Sequence, residues 1–93
     1  MALYLTRVEL HGASYGDYET LHDAMEAEGF ERTITGNDGK TYQLPTAEYY
    51  RQTNLNRAAV RESAERAADK TKKSYGVIVA EAVGMTWTGL AEV

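Results

Sequence analysis

Apolar and polar positions alternate from residue 4 to residue 11. Tyr4, Thr6, Val8 and Leu10 fall on one side, and Leu5, Arg7, Glu9 and His11 on the other. A period of two is that of a strand with one buried face. The first set stays apolar to its end and is the core side. Gly12-Ala13 breaks the alternation, and the period changes to that of a helix. Ser14 and Asp17 stand at capping-box spacing, which predicts a helix over residues 15–28 with Tyr18, Leu21, His22 and Met25 on its inner stripe. Gly29 suits the left-handed position just past a helix end.

Phe30 and Ile34 are in phase within a second predicted strand, residues 30–35. Gly36-Asn37-Asp38-Gly39 signals a turn, because these residues adopt positive φ at little cost. A return strand starts near Lys40 with Tyr42 and Leu44 inward. Pro45 has no N–H to give to a ladder and marks a bulge, an edge or an end; Tyr49-Tyr50 resumes the strand beyond it. Asn56 caps a second helix whose inner stripe, Val60, Ala64, Ala67, Ala68 and Thr71, is made of small side chains. Residues 74–82 read as the last strand, with Tyr75, Val77 and Val79 inward.

The order β-α-β-β-α-β is the ferredoxin-like arrangement. It predicts an α+β fold in which a four-stranded antiparallel sheet carries two helices on one face and leaves the other open. No repeat or linker divides the chain, so residues 1–93 are expected to form a single domain. The glycine-rich segment 84–90 receives no element; its Trp87 covers a sheet edge or docks on another molecule.

With 93 residues, 43% hydrophobic and 26% charged, the chain has the composition of an ordinary globular domain. No apolar run approaches the roughly 20 residues that span a bilayer, and a secretory signal pattern is missing, so no membrane partner is expected. The lack of cysteine removes disulfides and thiolate ligands and fits a cytoplasmic location. A net charge of −4 works against bulk attraction to nucleic acid. The charge is uneven, however. Between Arg7 and Arg32 every charged residue is an acid, while Arg51, Arg57, Arg61, Arg66, Lys70, Lys72 and Lys73 crowd the second helical region.

No glycine-rich phosphate loop is present, and His11 and His22 lack the His-Glu-x-x-His spacing of a metal site; no cofactor and no metal are expected. His11 is the chief candidate for chemistry. It ends the first strand on the open face beside Arg7 and Glu9, where an imidazole near a carboxylate and a guanidinium acts as general base or acid on a ribose hydroxyl and phosphate. Its alternative role is to cap the end of the sheet. His22, on the inner stripe of its helix, reads as structural. The expected open face, with Leu5, Arg7, Glu9, His11, Thr41, Gln43, Ile78 and Ala80, lacks the aromatic platform of RNA-recognition sheets. Its apolar members fit a contact surface for a protein or a second copy.

Four segments carry a family resemblance: Arg7-Val8-Glu9-Leu10-His11-Gly12-Ala13, Leu21-His22-Asp23-Ala24-Met25-Glu26, Gly29-Phe30-Glu31-Arg32-Thr33-Ile34 and Thr41-Tyr42-Gln43-Leu44-Pro45-Thr46-Ala47-Glu48-Tyr49. In this pattern the chain resembles the GhoS-like group of small bacterial and prophage proteins, the antitoxins of type V toxin–antitoxin systems. The resemblance implies an endoribonuclease that cleaves toxin messenger RNA, on a ferredoxin-like fold shared with CRISPR-associated nucleases. The acidic residue those nucleases carry at the end of the first strand is replaced here by His11-Gly12. On this expectation the 2′-hydroxyl attacks the neighbouring phosphate, His11 is the general base or acid, and Arg7 and Arg32 neutralise the developing charge. A second expectation is a non-catalytic phage or mobile-element protein that inhibits a host protein complex. In that case the acidic helix mimics phosphate, and Leu5, Ile78 and Trp87 are apolar anchors. A third is a homodimer built through open sheet faces or strand edges.

Overall fold

In the computed structural model, which describes residues 1–93, the elements follow as β1 (Ala2–Leu10), α1 (Tyr15–Ala27), β2 (Thr33–Thr35), β3 (Thr41–Gln43), β4 (Glu48–Thr53), α2 (Arg57–Asp69) and β5 (Tyr75–Ala82). β1 is the centre of a three-stranded antiparallel sheet, with β4 on one side and β5 on the other. Its alternation is expressed as read: Tyr4, Thr6, Val8 and Leu10 are buried, and Arg7 and Glu9 are exposed. Both helices pack on the buried face. Leu21 and Met25 of α1 and Val60, Ala64, Ala67 and Ala68 of α2 join Tyr4, Val8, Leu10, Phe30 and Tyr49 in one core. The alanine stripe lets α2 lie close over β1 and β5.

Local chemistry sets the helix ends. The Ser14 hydroxyl accepts from the Asp17 N–H, and the Asp17 carboxylate accepts from the Ser14 N–H at 2.9 Å. Asn56 Oδ1 accepts from the Ala59 N–H at 2.8 Å. Past α1, Gly29 adopts φ +98, and a Cβ there would meet the Arg51 guanidinium at 3.2 Å. That guanidinium lies 5.2 Å from the centre of the Phe30 ring. A side chain at residue 29 would therefore strain the backbone and displace this cation.

The expected four-stranded sheet does not form. β2 and β3 pair with each other as a separate two-stranded sheet, and neither pairs with β1, β4 or β5. The one link from this region to the main sheet is Glu31, which exchanges two backbone bonds of 2.8 Å with Tyr50 on the outer side of β4. The element order still fits the ferredoxin-like scheme. The lateral order β5-β1-β4 followed by Glu31 shows why: the fourth strand is reduced to one bridged residue. The break lies between β3 and β4. Pro45 donates nothing, and Ala47, at φ 74, turns the chain sharply, so the expected return strand becomes two strands in different sheets. Phe30 enters the main core, whereas Ile34 and Leu44 are buried outside it.

Residues 83–93 complete the small sheet. The Gln43 N–H donates to the Ala91 carbonyl at 2.8 Å and the Val93 N–H to the Thr41 carbonyl at 2.9 Å. Trp87 meets Tyr42 edge-on, with ring centres 5.8 Å apart. Together the hairpin and this segment overhang Leu5 and Glu48, while Arg7, Glu9, His11, Ile78 and Ala80 of the face opposite the helices stay exposed.

Thr6 is fully buried opposite Tyr49 and Val79, and its hydroxyl has no hydrogen-bond partner. An unpaired buried hydroxyl costs about 1–3 kcal/mol. Thr6→Val keeps the branched shape and removes the orphan oxygen. It is expected to stabilise the fold by about 1 kcal/mol, read as a higher urea midpoint with an unchanged slope.

Candidate functional site

Arg7, Glu9 and His11 follow one another along the open side of β1, each two residues from the next. His11 lies just past the strand but stays in the ladder, its N–H donating to the Ser74 carbonyl at 2.9 Å. Gly12, at φ +63, then turns the chain toward the Ser14 cap. The imidazole is held at both nitrogens. Nδ1 lies 3.3 Å from the Ser74 hydroxyl, and Nε2 lies 3.6 Å from Glu9 Oε1, an ion-pair distance longer than a hydrogen bond. About half of each of the His11 and Arg7 side chains is exposed.

Across the sheet, Arg7 reaches Glu48 on β4 at 3.6 Å. An exposed pair at this length contributes little and is easily exchanged for another anion. On the β5 side Glu9 pairs with Gly76 and Arg7 with Ile78. Gly76 has open space where a side chain would stand, so a shallow trough lined by Arg7, Glu9, Gly76, Val77 and Ile78 runs beside His11. A carboxylate and a guanidinium thus line one solvent-open groove, and the imidazole stands next to that carboxylate. No group of three or more histidine and carboxylate side chains gathers in a way that could hold a metal ion.

Arg32 is not brought to this group. Because Glu31 pairs with Tyr50 on the open face, the residues on either side of it, Phe30 and Arg32, turn toward the helices. Arg32 there faces α1, and its charge acts on Tyr15, His22 and Tyr49. The sequence held this signal: Phe30 and Ile34 are in phase, so Arg32 between them shares their inward phase. The partners Ser74, Glu48 and Gly76 were missed. Finding them required the register of β1 against β4 and β5, which the alternation of a single strand does not carry.

His22 is structural, as its stripe position implied. Its Nδ1 lies 2.7 Å from the Tyr49 hydroxyl inside the core. Burial is the main cause that lowers its pKa, with the nearby Arg32 charge adding to it. Burial likewise pushes the Tyr49 phenol upward. The sign of the pH effect follows. The folded His22 binds its proton more weakly than the unfolded one, so the unfolded chain is favoured once it can protonate. Stability is fully present above the unfolded value of about 6.5 and falls as pH drops below it. Urea midpoints measured across this range are expected to show that slope, and the double variant His22→Leu/Tyr49→Phe to have lost it.

α2 is not basic as a whole, since Arg57, Arg61 and Arg66 are balanced by Glu62, Glu65 and Asp69 and the lysines lie past its end; two ion pairs tie this region to the acids of the first helical region. Arg66 pairs with Glu28 at 3.1 Å and Lys73 with Asp17 at 3.8 Å. No helix is long and apolar enough to cross a membrane. No protein-family model matches this chain, and no curated protein matches it in sequence.

Proposed function

We propose that the chain is an endoribonuclease of the GhoS-like kind, acting on messenger RNA in the cytoplasm, with its site at the His11 end of the sheet. The observation that carries this reading is the juxtaposition of Glu9 and His11, 3.6 Å apart, with Arg7 on the same face. Such a set supplies the parts of RNA transesterification. Glu9 takes the proton of the 2′-hydroxyl, whose oxygen attacks the adjacent phosphorus. The imidazolium of His11 gives a proton to the departing 5′-oxygen. Arg7 leaves Glu48 and balances the charge that builds on the phosphoryl oxygens. Arg32, which faces α1, takes no part. The Ser74 hydroxyl at 3.3 Å and the Glu9 carboxylate at 3.6 Å flank the imidazole on its two nitrogens.

Labelled toxin-type transcript incubated with purified protein, with and without chelator, tests the reading. Cleavage that survives the chelator and leaves 2′,3′-cyclic phosphate ends supports it; intact RNA sinks it. A second reading is favoured by the net charge of −4 and by the exposure of Ile78 and Val83: a non-catalytic phage or mobile-element protein that inhibits a host complex. Recovery of a stable protein partner alongside uncleaved RNA would select that reading.

A further inference from the structure

The outer edge of β5 is unpaired. This strand bonds to β1 on one side only, and no loop bonds to the backbone of residues 75–82. The phase of the existing ladder follows from the bond between the His11 N–H and the Ser74 carbonyl. Bonded and non-bonded pairs alternate in an antiparallel ladder. Gly76, Ile78, Ala80 and Ala82 therefore turn their backbone groups toward β1, and Tyr75, Val77, Val79 and Glu81 turn theirs outward. Sheet edges are commonly protected by lysine, proline or a bulge. Residues 75–82 contain no lysine, arginine or proline, and their register with β1 runs without interruption.

We infer that this edge pairs with β5 of a second copy, antiparallel about a two-fold axis through Val77, to make one continuous six-stranded sheet. In this register the outward groups match: Val77 pairs with Val77 of the second copy, and Tyr75 with its Val79. No charge meets its like. On the open face, Ile78, 66% exposed in the single chain, stands opposite Gly76 of the second copy, where no side chain fills the space.

The helices agree with this register. α2 rides over both β1 and β5, so two copies of it would lie about two strand spacings apart, roughly 10 Å, the distance of packed helices. Its outer flank carries Arg57, Arg61, Glu65 and Asp69 at intervals of four, which places them in one row. The contacts of β5 locate this row. Val79 lies beside Arg57 and Arg61, while the Tyr75 hydroxyl donates to Asp69 at 2.8 Å and lies 3.5 Å from the Glu65 carbonyl. The middle of the row thus lies at the level of Val77, and a two-fold axis there sets Arg61, which pairs with its own Glu65 at 3.1 Å, against Glu65 of the second copy and Arg57 against its Asp69. The row is self-complementary when reversed, and both His11 grooves end up on one continuous face.

Light scattering of the purified chain is expected to give twice the 10.3 kDa mass. Register is read by cysteine substitution, since the chain has none of its own and directly opposed non-bonded pairs lie within disulfide reach. Gly76→Cys and Ile78→Cys are expected to cross-link under mild oxidation when mixed, and neither to cross-link alone. Arg61→Glu or Glu65→Arg should each weaken association roughly tenfold, because two symmetry-related ion pairs are lost at once, and the double exchange should recover most of the loss. These residues are exposed or half-buried, so circular dichroism is expected to remain that of the parent. A monomer at every concentration, or a dimer in which mixed Gly76→Cys and Ile78→Cys fail to cross-link, overturns the inference.

Discussion

Tyr49→Ala is expected to lose about 3–5 kcal/mol of stability, the range for emptying a buried aromatic site. The ring is fully buried at the centre of the core. It meets the Phe30 ring edge-on with centres 6.4 Å apart and the His22 ring at 5.8 Å. Its backbone is fixed opposite Thr6, so the strand cannot move in to close the space. The substitution also leaves His22 Nδ1 without its 2.7 Å partner, which adds the cost of an unpaired buried polar group. Tyr49→Phe separates the two contributions. It keeps the ring contacts and forfeits only the hydrogen bond, at about 1–2 kcal/mol. A domain of this size holds a total stability of order 5–15 kcal/mol, so the alanine variant sits near the limit of folding. Urea unfolding followed by tyrosine-independent backbone signals measures both. An alanine variant as stable as Tyr49→Phe would mean that the ring is not the core's keystone.

The parts of this fold that were legible in the sequence are those whose signals are local. The face of β1 follows from alternation alone, the start of α1 from Ser14 and Asp17, and the buried stripe of α2 from the spacing of its alanines. The hairpin around Gly36 to Gly39 formed as expected, but its place outside the main sheet was misread for the opposite reason. β2 and β3 are three residues each, and the second edge of β3 is taken by residues 91–93, which lie far along the chain. The phase of Ile34 correctly marked it as buried but not under what: it is covered with Leu44 beside Trp87 and not by the helices. Pro45 correctly announced an interruption, yet only the backbone at Ala47 shows that the chain changes sheets there. The candidate site divides in the same way. Arg7, Glu9 and His11 share one strand and were legible together. Arg32 was grouped with them by residue type, and the pairing of Glu31 with Tyr50 puts it on the other side.

His11→Ala is expected to lower RNA cleavage by roughly 10²–10⁴-fold, the usual contribution of a positioned general acid or base. The fold should not change, because the imidazole is half exposed and the bond that holds this position in the ladder is its backbone N–H to Ser74. A histidine that merely caps the sheet would behave in the reverse manner, costing stability and leaving cleavage alone. Arg7→Ala should lower the rate by roughly 10²–10³-fold if the guanidinium meets the charge that develops on phosphate. Arg32→Ala should leave the rate unchanged, since its side chain faces α1. Gly76→Val adds a strand-favouring side chain to the floor of the trough and should weaken substrate binding while sparing the fold, because nothing stands within 4 Å of the new Cβ. The four variants together form a map of the surface. Losses confined to Arg7, His11 and Gly76 place the reaction on the open face, whereas unchanged cleavage in His11→Ala removes the imidazole from the chemistry and the proposed site with it.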